Sequence, residues 1–311
     1  MFTHFDRSVF LTGALCPPVM VDSSQPIKPQ EYSVQTSQEI NVEHLYIQGG
    51  PGKGVSEFNK KIIQGGLQLK LRIKENNQLE DAIITLLNNA QSVEDCFTLT
   101  TLLQPYNPDI TAESEVFSTG ATETFLMDTC LVEKTTITMQ SDSPCSINTT
   151  IIGQNNSETP TSYVFPVEDT NIYRDLTWYD CSFYRNGSRM ENLNKVVITI
   201  TKNIDQPVFL MTYGTSERFD RSYSTGVKAI MVEFEFTETV TSLLDIFTYS
   251  FGGNKDMEFN GTVGPMNIAI PRTIVKISSQ NLTSKGITRT TSGFYKLRPN
   301  TPLSNNYLVS F

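Results

Sequence analysis

The stretch Gly226–Ser250, GVKAIMVEFEFTETVTSLLDIFTYS, changes its hydrophobic period once. Ile230, Val232, Phe234 and Phe236 alternate with Met231, Glu233 and Glu235, the period of two that buries one face of a β-strand. Val240, Leu243, Leu244 and Phe247 then fall at i, i+3, i+4 and i+7, the stripe of a short amphipathic helix that Thr237 or Thr239 would cap. The same switch stands earlier in the chain. Leu69, Leu71 and Ile73 alternate after Gly66, and Leu79, Ala82, Ile83 and Leu86 make the helical stripe. An offset of 161 carries all seven of these positions onto the apolar residues 230, 232, 234, 240, 243, 244 and 247 without a gap. A strand-to-helix switch repeated in register predicts a tandem duplication of a domain of roughly 150 residues.

Composition narrows the class. The 311 residues suffice for one large or two ordinary domains, and the abundance of Thr, Ser, Asn, Val, Ile, Phe and Tyr favours β structure. A net charge of -9 argues against a nucleic-acid binder that works by neutralising phosphates, and is compatible with a surface that must not hold DNA. The five cysteines, Cys16, Cys96, Cys130, Cys145 and Cys181, form no CxxC pair, so reduced, mostly buried thiols in a cytosolic assembly compartment are expected. The five Asn-x-Ser/Thr matches at Asn148, Asn155, Asn186, Asn260 and Asn281 are what a chain rich in these residues carries by chance. No run of eighteen apolar residues exists, so no transmembrane helix is expected. The start, MFTHFDRSVFLTGALC, has a short apolar core with Asp6 where a signal peptide is basic, and Leu15 precedes Cys16 where a lipoprotein site has a small residue. Neither leader is expected.

Taken in order, Val9–Leu15 is a short apolar segment stopped by Cys16-Pro17-Pro18, and the polar Asp22–Glu39 reads as an arm or surface excursion. Gln48–Gly54, QGGPGKG, resembles a phosphate loop only superficially. Ile47 stands where the first glycine belongs, and Gly54 replaces the Ser/Thr after Lys53. A mobile loop or hairpin tip is expected there. Cys96–Leu103 is a strand candidate and Pro105–Thr119 a loop; Phe125–Met139 and Cys145–Ile152 are strands around a Ser-Asp-Ser-Pro turn. Gly153–Ser162 is the expected linker. Beyond it, Asp175–Phe183 holds the only tryptophan, Trp178, and Leu193–Thr201 and Pro207–Tyr213 read as strands joined at Lys202–Gln206. Met257–Val263 and Met266–Ile270 bracket Gly264-Pro265, a further strand Thr273–Ser278 follows Pro271, and Gln280–Phe311 reads as a second extended arm. The expectation is a mainly β chain of two tandem antiparallel β-sandwich or barrel domains, residues 1–160 with an N-terminal arm and residues 161–311 with a C-terminal arm. Each would have roughly six strands and one flanking α-helix.

This order of elements resembles a tail tube protein of tailed bacteriophages. The similarity is carried by the strand running into one helix, by the hairpin GTVGPMNIAIPRTIVKIS, and by DTCLVEKTTITMQSDSPCSINTTIIG, a strand–turn–strand–glycine segment. It covers most of residues 45–280 and lies in pattern, not in a catalytic motif. The duplication matches the branch of that family with two tube domains per chain. The resemblance implies a virion structural protein, assembled in the host cytoplasm, whose three-subunit, pseudo-sixfold rings stack into a tube. Strands of neighbouring domains would join edge to edge into a continuous barrel, leaving no sheet edge exposed. Phage DNA would pass through the lumen without specific binding. Partners would be other copies of the chain, then the tape measure, tail terminator and distal tail proteins, with no membrane. The loop segment Gln48–Gly65, with Gly50, Pro51 and Lys53, and both termini would touch the next ring.

The charges suggest how domains are ordered around such a ring. Opposite the buried side of the first strand stand Lys70, Arg72 and Lys74; the same offset puts Met231, Glu233 and Glu235 there in the second. A basic face would then lie beside an acidic one, favouring alternation; the bland reading is two solvated faces. No catalytic constellation is visible. His4 and His44 stand alone, HExxH and GxSxG are absent, and Glu80-Asp81 suit the first turn of a helix. No enzyme activity, cofactor or metal is expected. Two other readings remain open: a ring-forming distal tail or hub protein that never polymerises, and a cell-surface β-sandwich binding module.

Overall fold

The computed structural model describes residues 5–15, 19–27, 31–46, 53–92, 95–105, 123–153, 155–158, 172–204, 208–211, 219–222, 227–241, 256–283, 286–297 and 308–311. Strands β1 (Phe5–Leu15), β2 (Val19–Ile27), β3 (Glu31–Tyr46), β4 (Lys53–Lys70) and β5 (Arg72–Lys74) precede the helix α1 (Asp81–Gln91). Then come β6 (Asp95–Pro105), β7 (Glu123–Gln140), β8 (Ser143–Gly153), β9 (Asn155–Glu158) and β10 (Tyr173–Asp175). A 3-10 turn at Trp178–Asp180 leads into β11 (Cys181–Arg185), β12 (Ser188–Arg189), β13 (Leu193–Ile204), β14 (Val208–Met211), β15 (Phe219–Ser222) and β16 (Val227–Val240). The last strands are β17 (Asp256–Val263), β18 (Met266–Thr283), β19 (Gly286–Leu297) and β20 (Val309–Ser310). The chain is thus mainly β, a curled antiparallel half-barrel with one helix among the described residues. That helix is too short to cross a membrane.

Period-two alternation builds the sheet. On its core face, Leu69, Ile147, Ile137, Ile198, Phe234, Gly293 and Val275 are successive cross-strand neighbours from β4 to β18. Such pairs are the unit of sheet stability. Burial of Leu67, Leu69, Leu71 and Ile73 follows the predicted alternation, as does that of Ile230, Val232, Phe234 and Phe236. α1 lies on this face. Ala82, Ile83 and Leu86 of the expected stripe are buried on it, joined by Leu87 and Ala90, while Leu79 stands before the helix in a bridge to Ile73; the helix packs against β7 and β13. Its buried polar residues are tied down: Asn89 Oδ1 accepts from Val132 N (2.9 Å) and from Lys202 Nζ (3.3 Å). Gln91 Oε1 accepts from Val309 N at 2.9 Å, docking β20. The buried cluster is contiguous from Leu67 to Val309.

Two glycines make the packing possible. Gly264, at φ +55°, turns the β17–β18 hairpin, and a Cβ there would lie 2.8 Å from Leu176. Gly293 faces Phe234 directly across β19 and β16, and its Cβ would sit 2.4 Å from the ring. The ring covers the bare glycine backbone and packs 5.6 Å from Phe259, centroid to centroid. Gly293→Ala is therefore expected to destabilise by about 1–3 kcal/mol, the range for overpacking a core. Phe234→Leu in the same chain should recover part of that loss in urea denaturation; additive losses would contradict the contact.

Several expectations are corrected. β16 continues through Thr237, Thr239 and Val240, so these are strand residues and not the start of a helix; Thr237 shares a hydroxyl hydrogen bond with Thr290 of β19 (3.1 Å). Leu243, Leu244 and Phe247 lie outside the described residues, as do most of the expected Pro105–Thr119 loop and the second half of the expected linker. The linker's first half contains β9, paired with β7. The N-terminal arm is instead strand: Asp22–Ile27 lies in β2, and β3 pairs along its whole length with β4. Gln280–Leu297 is no arm either, because β19 lies between β16 and β18. β13 runs on to Ile204, so Lys202 is no turn residue, and β14 pairs with β15. Pro271 does not end a strand; Ile270 pairs with Phe259 and Thr273 with Met257, so Pro271 sits in a bulge where no ladder N–H is needed.

Candidate assembly interface

The face opposite the core is open and mostly polar. One row of cross-strand neighbours runs Gln68, Asn148, Thr136, Thr199, Glu233, Phe294 and Ile274 across seven strands without a break. The next row runs Lys70, Ser146, Thr138, Val197, Glu235, Ser292 and Lys276. None of these side chains is buried. Hydroxyls bridge the strands, as between Thr136 and Thr199 at 3.3 Å.

The strand order repeats a pattern. From one side it reads β3-β4-β8-β7, then β13-β16-β19-β18. In each group of four, a hairpin's second strand pairs with the second strand of a later hairpin. The groups meet where Lys134–Gln140 of β7 pairs with Lys195–Thr201 of β13. The leading half of β7 leaves this sheet to pair with β6, and the leading half of β18 leaves to pair with β17. Among the described residues no strand pairs with the outer edge of β3, or with β18 opposite β19 over Val275–Thr283. Such edges carry a row of unused N–H and C=O groups that another chain can pair with.

The basic residues singled out in the sequence have partners within the chain. Lys70 Nζ donates to Asp175 at 2.7 Å. Arg72 forks onto Glu80 at 3.0 and 2.8 Å, and its guanidinium lies 5.0 Å from the centre of the Tyr173 ring. Lys74 meets Asp81 at the start of α1. These contacts hold β5 against β10 and α1. Glu233 and Glu235 lie on the open face of β16, four strands from β4, or about 19 Å at the usual strand spacing. The fold does not bring the two sets together within one chain. Lys53 pairs with Tyr46, the last of β3, so Lys53–Gly65 is strand β4 and not the expected loop, while Gly50 and Pro51 lie outside the described residues. Sequence reading did not single out the free strand edges, which are a main-chain property with no side-chain signature.

A clamp fixes the loop between β10 and β11. Asp180 accepts from both Arg174 nitrogens (2.9 and 3.0 Å) and from Thr177 N (2.9 Å). The Arg174 guanidinium, helped by Thr177, holds the Asp180 carboxyl below the usual carboxylate range. Because its folded pKa lies below its unfolded one, the stabilisation is present above the unfolded value and is lost as pH falls through the folded one. Asp180→Asn is therefore expected to flatten the acid limb of a plot of Tm against pH; parallel limbs would contradict the assignment. Among the described residues no group of three or more His, Cys, Asp or Glu is placed to hold a metal ion. The sequence matches no protein-family model, and no curated protein matches it.

Proposed function

We propose that the chain is a non-enzymatic structural subunit of a phage tail tube, made of two tandem tube-like domains and assembling through its own sheet edges. The observation that carries this reading is the repeated strand order with one internal join. If β7–β13 is the join between two like halves, the free edges of β18 and β3 are its equivalents between chains. An interface between two different patches of one molecule propagates head to tail and closes into a ring when the rotation allows. Three chains of eight strands each would close a barrel about 48 Å across between backbones, taking the usual strand spacing and a tilt of about 40°. Such a barrel admits a DNA duplex.

The open face supports the same reading. With α1 covering the core face, the hydroxyl, amide and carboxylate rows would line the lumen. Charge on this face is mixed: Glu233 and Glu235 stand near Lys134, Lys276 and Lys296, while Lys70 is paired with Asp175. Rings stacked in this way belong to the virion tail, with the tape measure, terminator and distal tail proteins as neighbours. Negative-stain electron microscopy of the purified chain, before and after concentration, tests the proposal. Hollow tubes with a regular axial repeat and threefold or pseudo-sixfold end views are expected. Isolated rings that never stack would shift the assignment to a distal tail or hub protein. A chain that stays monomeric even with partially assembled tails present would overturn the proposal.

A further inference from the structure

We infer that Cys145 and Cys181 form a dithiol site that small oxidants convert to a disulfide, stapling β8 to β11. The inference is independent of the tube reading. The two sulfurs lie 3.8 Å apart, while a disulfide needs about 2.0 Å, so they must close by about 1.8 Å. That is the scale of a side-chain rotation.

The backbone around them is fixed. Cys145 N donates to Leu176 O at 2.9 Å, and Cys145 O accepts from Leu71 N at 2.8 Å. Cys181 Sγ lies 3.4 Å from Thr177 O, in the loop that Asp180 and Arg174 clamp. The pair is therefore held together before any bond forms. A disulfide formed there needs no loop closure in the native state, yet constrains the unfolded chain.

Access is one-sided. Cys145 is fully buried. Cys181 is half-buried and lines an open cavity of about 310 Å³ with Trp178, Ser182, Phe183 and Met190. The hydrogen bond between the two thiols holds Cys145 below the ordinary thiol range and keeps Cys181 protonated, with burial adding to the latter. Access and not acidity sets the order of attack, since Cys181 lines the cavity and Cys145 is buried. After losing its proton, Cys181 attacks one sulfur of a low-molecular-weight disulfide from the cavity, giving a mixed disulfide and one small thiolate. The Cys145 thiolate then attacks Cys181 Sγ, forms the internal S–S bond and expels the second small thiolate. The pair gives up two electrons and two protons, and the small disulfide becomes two thiols.

The test is to incubate the intact, folded chain with excess glutathione disulfide at pH 8, then count free thiols and map peptides without reduction. Two of the five thiols should be lost, with a Cys145–Cys181 linked peptide two hydrogens lighter than the pair of free peptides. Tm should rise by about 6 °C, as expected for closing a loop of this length in a chain of this size. Cys145→Ser and Cys181→Ser should each abolish both the link and the shift. Native chain in which both residues stay free, or carry only separate mixed disulfides, would overturn the inference, as would a link that forms only in urea.

Discussion

Replacing Glu238 with alanine is expected to destabilise the fold by about 3–5 kcal/mol, the range for removing one partner of a buried ion pair. Glu238 faces Arg289 directly across β16 and β19. Arg289 Nε donates to Glu238 Oε1 at 2.9 Å, Nη2 donates to the same oxygen, and Arg185 approaches at 3.4 Å. Glu238 is 9% exposed and Arg289 3%. The carboxylate occupies a core-face position in the series Ile230, Val232, Phe234, Phe236, Glu238, Val240. Truncation would leave a guanidinium beneath the sheet without that counter-charge, and its desolvation would be poorly offset. Arg185→Ala removes a longer contact from a more exposed side chain and should cost under about 1 kcal/mol. Changing both members together, Glu238→Met with Arg289→Leu, should be near neutral or stabilising, since apolar packing often replaces a buried pair without loss. Urea denaturation of the single and double variants checks this. A Glu238→Ala loss below about 1 kcal/mol would mean that solvent reaches the pair.

Glu238 also shows what a sequence of this kind conceals. Alternation identified the strands because one buried face repeats every second residue, and the hairpins at Ser141-Asp142 and Gly264-Pro265 were legible from their turn formers. The same period cannot fix register. The 161-residue offset aligned two alternations, and any even shift would have preserved them. Val240 ends β16, and Leu243, Leu244 and Phe247 of the expected helical stripe lie outside the described residues. The polar termini looked like arms because β2, β3 and β18 are rich in Ser, Gln, Asn and Thr, and backbone pairing places no demand on those side chains. Lys70, Arg72 and Lys74 looked like a free basic face because their partners Asp175, Glu80 and Asp81 are set by turns and a helix, not by strand period.

Two adjacent prolines in β18 should separate assembly from folding. Along a paired antiparallel strand, each residue directs both its N–H and its C=O to one side, and its neighbour directs them to the other. Ser279 lies opposite Thr290 and Gln280 opposite Arg289 on β19, so one of the two bonds to β19 and the other presents its groups to the free edge. Proline at the first kind of position removes a ladder bond and should destabilise the chain by about 1–3 kcal/mol, the penalty of an orphaned buried carbonyl. Proline at the second removes only an outward donor, which edge strands tolerate. Of Ser279→Pro and Gln280→Pro, one is therefore expected to lower Tm and the other to leave it unchanged. Under the assembly proposed above, the variant with unchanged Tm should form no tubes, because a neighbour's β3 would no longer complete the ladder. Gln280→Ala changes the side chain without touching the backbone donor and should assemble normally. Electron microscopy and sedimentation of the three variants, with their Tm values, give the answer. Tubes of wild-type diameter from both proline variants would remove β18 from the interface.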